Sequence, residues 1–546
     1  VAGIKFGKAM RWNATNVAFS RPLRWFVSLL GETVIPFEYA GLTAGRTTYG
    51  PRAEGSPELT VSSADAYLPL MAEHHVIVDR AARRAEVSRQ VAQLAADVNG
   101  AIPDDPALLD EVTDLIEQPT ALRGGFEADY LRLPKEVLIT VMKKHQRYFP
   151  VVDAQGKMLP HFIAVRNGGT DYLDVVQAGN EGVLRARYAD ASYFFRADTA
   201  RPLEAFTPRL STLTFQEKLG SMLDKVRRVE QLAPRLGELL GLDANEQHTT
   251  RRAAQLFKSD LATQMVVELT SLQGVMGREY ARLSGEDPAV SQAIFEHYLP
   301  RSQGDILPQS RPGLVLGIAN RLDSLVGLFA VGLAPTSTAD PFGLRRDALG
   351  LVQALAGLEQ PLDLRPALAA TAAQMPVPVS DGVLADVLTF VRDRLYGWLR
   401  DQGLPHDVVN AVLAVQGHDP ARATAAARDL AQLVQTADWP ETFTAYARCK
   451  RIVRSLPDIH ALAPEHYTEP ATRGLYAAWQ AVAPQPESVA ELAGVLRGLK
   501  DPINRFFTDV LVMADDPAVR AARLALVQRV AALPDAVADL SLLQGF

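Results

Sequence analysis

A chain of 546 residues outgrows a single hydrophobic core, which stops growing at roughly 250 to 300 residues, so about three domains are expected. Its net charge of −7 excludes a globally basic nucleic-acid binder and leaves room for local basic patches. The one cysteine, Cys449, excludes an internal disulfide framework or a Cys-rich zinc site, and suits a reducing cytosol.

From Arg24 to about Arg52, β-favouring runs at Trp25 to Leu30, Thr33 to Tyr39 and Arg46 to Tyr49 are separated by Gly31-Glu32 and Gly41, which predicts strands with tight connections. The segment from Asp65 to Leu115 is mostly helical. Pro134 opens another helix as its first residue. Beyond it, Tyr148 to Val152 and Phe162 to Val165 flank Asp153-Ala154-Gln155-Gly156 as a hairpin. An α/β region therefore fills residues 1–200, and from Pro202 onward strands disappear.

Leu219, Met222, Leu223, Val226, Val229 and Leu232 recur at three- and four-residue steps, an amphipathic helix, and similar patterns continue to the end of the chain. Between Ala319 and Gly350 a long apolar helix runs into a Pro-rich turn. Leu322, Leu325, Val326 and Phe329 form its buried stripe, with Asp323 among them, where an ionised carboxylate costs several kcal/mol unless paired. After Pro335, Asp340-Pro341-Phe342 reads as a capped restart, with Arg345 and Arg346 in the first turns of the next helix. Breaks follow at Pro361 to Pro366, at Met375 to Ser380 and around Trp439-Pro440. Leu524, Val527, Val530 and Leu533 mark a last amphipathic helix. Arg321 and Asp323 interrupt the longest apolar run, so no segment is expected to reach the ~18 to 20 apolar residues of a membrane span. The start does not resemble a signal peptide, and the expected location is cytoplasmic.

Common active-site signatures are missing. Gly41 to Thr47 has one residue too few and Arg for Lys to be a phosphate-binding P-loop, and reads as turn glycines. The HExxH, GxSxG and CxxC patterns are absent, as are the ATP-binding signatures of class I and class II synthetases. His406-Asp407 and His418-Asp419 lie near helix starts, where Asp serves as a cap. His297 reads equally as a core histidine, and His74-His75 has no ligand-spaced partner.

Two basic groups stand out. Arg448, Arg451 and Arg454 recur on one helix with Lys450 alongside, while Ile452 and Val453 suit the opposite face. Guanidinium groups fit phosphates and stack on unpaired bases; a solvated charged face gives the same pattern. Lys143, Lys144, His145 and Arg147 precede Tyr148 and Phe149, either as phosphate contacts beside stacking aromatics or as surface charge beside core rings. Arg345 and Arg346 suit RNA, a protein partner, or acidic neighbours such as Asp340.

Seven blocks carry a family resemblance: RPLRWFVSLLG from Arg21, GRTTYGPR from Gly45, LPKEVLITVMKKHQRYFPV from Leu133, LFKSDLATQMVVELTSLQGVMGREYA from Leu256, EHYLPR from Glu296, the run from Ala319 to Gly350, and FFTDVLVMADD from Phe506. In that order they resemble the β subunit of the tetrameric bacterial glycyl-tRNA synthetase. The chain opens at Val1 rather than Met and lacks the family's usual N-terminal segment, so a shortened form is expected. The resemblance implies a multidomain α+β protein. Residues 1–200 would form an α/β region like the B3/B4 modules of phenylalanyl-tRNA synthetase β, and residues 201–350 an all-α HD-like domain. Residues 351–438 would be a helical linker region, and 439–546 a helical anticodon-binding domain of the DALR type.

Phosphohydrolase members of the HD group hold a metal with a His, a His-Asp pair and a later Asp. Here the pair reads Ser259-Asp260, preceded by Lys258, and the later residue is Asp323, so the site is degenerate and no metal is expected. The family's reaction joins ATP, glycine and tRNA(Gly) into glycyl-tRNA(Gly), AMP and diphosphate. On this resemblance no catalytic residue lies on this chain, and ATP and Mg2+ belong to the α subunit. The partners would be that subunit, in a heterotetramer of two α and two β chains, and tRNA(Gly), with no membrane. The RNA contacts would come from Arg448, Lys450, Arg451, Arg454, Lys143, Lys144, Arg147, Arg345 and Arg346. Two other readings stay open, an HD-type metal-dependent phosphohydrolase and a non-catalytic RNA-binding scaffold.

Overall fold

Short hairpins open the chain in the computed structural model, which describes residues 1–482 and 485–546. Leu29–Leu30 pairs with Thr33–Val34, Glu38–Tyr39 with Leu42–Thr43, and Thr47–Tyr49 with Glu58–Thr60, all antiparallel. Gly31 and Gly41 turn the first two at positive φ. These strands are shorter than the apolar runs suggested, because turns recur every few residues and Pro36 has no N–H for a ladder.

The chain packs as two units, Val1–Ala200 with Gln264–Leu272, and Arg201–Thr263 with Gln273–Phe546. The first is built on a three-stranded antiparallel sheet of β1 (Pro119–Gly125), β2 (Phe149–Val152) and β3 (Met158–Asn167), with β3 in the middle. The predicted hairpin is the β2–β3 connection. There the Asp153 carboxylate accepts the N–H groups of Gln155 and Lys157, and Gly156 sits at φ +74°. Helices α1 (Arg80–Ala96) and α2 (Pro106–Leu115) cover one face, burying Val87, Val91, Leu108 and Val112 against Phe149, Val151 and Ile163. Phe162, one residue from Ile163, points to the other face and stacks on Tyr148 at 4.6 Å. Gly124 opposes it, and a Cβ there would lie 2.2 Å from the ring. Pro134 proves to be the cap of the helix Lys135–Thr140 rather than its first residue. From α3 (Leu173–Thr199), Asp198 accepts the N–H groups of Gln264 and Met265, which fastens the short helix Gln264–Glu268 to this unit.

In the second unit the expectation that strands end at Pro202 fails locally, since Thr214–Gln216 pairs with Gly220–Ser221. Gly220, at φ +86°, makes the turn, and Ser221 then forms a reciprocal cap with Asp224 at the start of α4 (Met222–Leu239). Leu219 is buried in that turn, outside the helix. Then come α5 (Ala244–Leu256), α6 (Val275–Leu283), α7 (Pro288–Glu296), α8 (Arg311–Ala330), α9 (Leu344–Gly357) and α10 (Asp381–Asp401). Helix α8 is the hub, packed against α4, α5, α7, α9 and α10. Contrary to the sequence expectation, α8 is long and apolar enough to cross a membrane by length and composition. Yet 83% of its most apolar window is buried among these neighbours, as a core helix is.

The breaks fall close to their expected places. Pro366 lies in the first turn of the helix Leu364–Ala372, and Trp439-Pro440 opens α11 (Trp439–Val453). With α12 (Pro470–Ala481), α13 (Val489–Asp509) and α14 (Pro517–Ala531), α11 encloses a core that includes Cys449, Leu475, Ile503, Phe506 and Val527. Leu533 belongs to a 3-10 turn after α14. The architecture is mixed α+β, with small sheets and a helical C-terminal region.

Candidate nucleic-acid interface

Asp323, in the middle of α8, is answered from α4. Lys225 and Arg228 fall on the same arc as the apolar Met222, Val226 and Val229, so the helix that buries its stripe also buries two cations. The Lys225 ammonium donates to Asp323 Oδ1 at 2.8 Å, to the Asn320 carbonyl at 3.0 Å and to Ser324 Oγ at 2.9 Å. Arg228 Nε donates to Asp323 Oδ2 at 2.6 Å, and its other nitrogens reach Oδ1 and the Leu219 carbonyl. Burial pushes the Asp323 carboxyl up, but the two cations outweigh it and hold the group below the usual carboxylate range. At Lys225 burial is the stronger effect and lowers the ammonium despite Asp323. Its three acceptors nonetheless engage all three ammonium protons, so the charged form fits the site.

Beside this pair lies Lys258-Ser259-Asp260. Asp260 Oδ2 accepts the N–H groups of Gly274 at 2.6 Å and Gly277 at 3.1 Å, at the start of α6, a favourable end for an anion. Its Oδ1 has no hydrogen bond among the described residues. Burial pushes this carboxyl up to about 6, against the backbone donors and Lys258. Burial, with Lys225 nearby, pushes Lys258 down to about 7. The Lys258 ammonium sits 3.9 Å from the ring centre of Tyr298 and 5.3 Å from that of Phe257, a cation–π site. Ser259 Oγ bonds to Thr207 Oγ1 at 2.6 Å. His297 is fully buried with Nδ1 at 2.5 Å from the Ile294 carbonyl, and burial drives it well below the ordinary imidazole value. Arg321 donates to the carbonyls of residues 297 to 300. A divalent metal does not fit here. The Asp323 oxygens face two cations, a lysine stands beside Asp260, and among the described residues no three His, Cys, Asp or Glu side chains are grouped to hold an ion.

The basic residues noted in the sequence fall in separate places. In the first unit, Lys143 pairs with Asp105, Arg147 pairs with Glu111 at 2.8 Å, and Lys144 is exposed. Tyr148 and Phe149 are core rings, so no aromatic from this cluster is available for stacking on a base. The expected restart at Asp340 is shifted: α9 begins at Leu344 with Gly343 as its N-cap, and Asp340 accepts the N–H groups of Leu344 and Arg345 from outside the helix; Arg345 donates to the Thr336 carbonyl, and Arg346 is exposed. On α11, Arg448 lies over the Phe507 ring at 4.6 Å with Asn504 at 3.4 Å. Arg451 lies over Phe546 at 5.2 Å, Lys450 pairs with Asp535 at 3.3 Å, and Arg454 is exposed. The opposite side of α11 carries Cys449, Ile452 and Val453 into the core, and burial pushes the thiol up to about 12.

Sequence reasoning missed Arg505, exposed on α13 between Asn504 and the Phe507 that carries Arg448. The signal was present, since Arg505 directly precedes the FFTDV block. It also missed Lys225 and Arg228, whose helical phase with Val226 and Val229 was legible. Asp419 caps the helix Pro420–Leu433 as expected, whereas Asp407 accepts the Gln544 N–H of the C-terminal tail.

Arg448 over Phe507 of α13 and Arg451 over the C-terminal Phe546 set guanidinium groups against rings, chemistry suited to phosphate and bases. The whole chain has relatives of known kind. A sequence profile described as glycyl-tRNA synthetase beta subunit matches residues 1–414. The glycine--tRNA ligase beta subunit of Moorella thermoacetica is 42% identical over 99% of this chain and 80% of its own length. That of Syntrophotalea carbinolica is 43% identical over 99% and 80%. Glycine--tRNA ligase, chloroplastic/mitochondrial 2, of Arabidopsis thaliana is 39% identical over 100% of this chain and 52% of its own length. Likeness of this extent, running through both units, means that the chain belongs to the glycyl-tRNA synthetase beta subunit family.

Proposed function

We propose that this chain is the tRNA-binding subunit of a glycine--tRNA ligase, acting with an α subunit to join ATP, glycine and tRNA(Gly) into glycyl-tRNA(Gly), AMP and diphosphate. The observation that carries the reading is similarity to glycine--tRNA ligase beta subunits over 99% of the chain. In this reading amino-acid activation, ATP and Mg2+ belong to the α subunit. This chain contributes by positioning, holding the tRNA so that its terminal ribose hydroxyl meets the activated glycine. The assembly is a cytoplasmic heterotetramer of two α and two β chains.

Residues 1–200 are assigned as the B3/B4-like region, 201–350 as a degenerate HD-like domain, 351–438 as a helical linker region and 439–546 as a DALR-like anticodon-binding domain. The helical packing of α11 to α14 with its outward arginines supports the last assignment. For the HD-like region, the neutralised Asp323 and the lysine beside Asp260 argue for a structural role in place of phosphohydrolysis.

Mixing the purified chain with its α partner tests the proposal. Charging of tRNA(Gly) is expected from the mixture and from neither component alone; ester formation by this chain alone, or charging indifferent to its addition, overturns it. Within the mixture, Arg448→Ala and Arg451→Ala are expected to weaken tRNA(Gly) binding by about 1 to 3 kcal/mol per genuine base contact.

A further inference from the structure

The buried cluster has an outward-facing neighbour that it does not use. Helices α9 and α10 meet the loop after Pro300 around a cavity of about 300 Å³. Its charged lining is wholly basic, with Arg345 and Arg346 from α9 and Arg394 from α10, joined by Gln303 and Gln353. The α9 residues share one face because they recur at one, four and eight positions along the helix.

Several of these groups lack partners among the described residues. Gln353 is only 8% exposed, and Arg394 Nε is buried without a partner while its guanidinium lies 5.0 Å from the Phe390 ring centre. Arg346 makes neither an ion pair nor a side-chain hydrogen bond with them. Arg345 donates to the Thr336 carbonyl and has Asp340 at 3.8 Å, so it is the one arginine of the three already engaged. The floor at Gly350 is backed by a fourth guanidinium, since a Cβ there would lie 2.9 Å from Arg321 Nε. Asp347, on the same helix, stands among Arg321, Lys225, Lys258 and Arg346 and does not line the cavity.

We infer that this cavity binds a phosphate monoester dianion. Guanidinium forks match phosphate oxygens in pairs, and a terminal phosphate offers three free oxygens and about two charges to three arginines. A carboxylate offers two oxygens and one charge, and a phosphodiester within a strand has two free oxygens and two esterified neighbours that must clear the rim. The volume, at the low end of small-molecule pockets, has room for a phosphoryl group together with part of the molecule that carries it. Two sources share this chemistry, the 5′ end of an RNA and a free phosphate compound. Only the first depends on the tRNA-binding reading above.

Calorimetric titration of the full chain with inorganic phosphate, and with AMP against adenosine, tests the site. Saturable binding of phosphate and AMP but not adenosine is expected, weakened about tenfold or more in Arg346→Gln and in Arg394→Gln. Arg346 is exposed, so its variant is expected to melt as the parent does without ligand. No saturable binding, or equal binding by both variants, overturns the inference. With phosphate binding established, tRNA(Gly) carrying or lacking its 5′-phosphate identifies the source. A loss of affinity on dephosphorylation that Arg346→Gln abolishes marks the RNA end, and indifference to it marks a free phosphate compound. If tRNA(Gly) does not bind at all, the earlier reading fails while the phosphate titration still judges this one.

Discussion

Asp323 shows how much one buried charge decides. With its side chain 1% exposed, it has Lys225 and Arg228 as direct partners, and removing one member is expected to leave the others buried and unpaired. Asp323→Ala is expected to destabilise the protein by about 3 to 5 kcal/mol, because two cations stay buried without their anion. Replacing all three with Met, Met and Leu is expected to recover most of that loss in urea unfolding; an Asp323→Ala variant as stable as the parent refutes the account. Lys258 leads to a pH prediction. Its native value, pushed down to about 7, lies below the ordinary 10.5, so between these values the unfolded chain holds a proton that the native chain has released. Stability on this account rises as pH climbs through that window. Asp260 is shifted upward by burial, so its contribution is largest at low pH and falls as pH approaches about 6. An alkaline rise is expected in urea midpoints of the parent and is expected to be lost in Lys258→Met; a rise unchanged by that substitution would assign it to other groups. The sequence stated that Asp323 needed a partner; it did not state which, because the choice depends on two helices about a hundred residues apart meeting.

Among the elements, α8 is where packing overrides propensity. Glu296, fully buried at the end of α7, accepts the N–H groups of Gln309 at 3.0 Å and Ser310 at 2.9 Å, and Ser310 then caps α8 through the Gly313 N–H. A Cβ on Gly313 would lie 2.4 Å from Glu296 Oε2, and one on Gly317 would lie 2.9 Å from the Arg321 guanidinium. Helix propensity alone favours Gly313→Ala by roughly 1 kcal/mol. The opposite sign is expected here, a net loss of stability, since the carboxylate would have to abandon its donors. Equilibrium unfolding of Gly313→Ala decides between the two signs. The helix itself was legible from its apolar stripe, whereas the reason for its glycines lay on a neighbouring element.

For the molecule as a whole, a chain of net charge −7 can hold RNA only through local positive surface, and such binding weakens as salt rises. Arg454 and Arg505 are exposed and make no ion pair among the described residues, unlike Lys450, which pairs with Asp535. Replacing Arg454 and Arg505 with Gln is therefore expected to flatten the dependence of log affinity for tRNA(Gly) on log salt by about 1 for each phosphate that either arginine neutralises. A slope unchanged within error removes that face from the interface. What the sequence determined by itself is whatever rests on local period and on ordered blocks: the main helices, the β2–β3 hairpin, the Asp419 cap, and the family. What only the tertiary structure decided is which side chains remain free to act. It buried Tyr148 and Phe149, laid Arg448 and Arg451 on rings, matched Asp323 to Lys225 and Arg228, and gathered Arg345, Arg346 and Arg394 around one cavity. The physical reason is range. Periodicity and capping act over a few residues, while desolvation and charge pairing depend on groups far apart in the chain that approach only when the core closes.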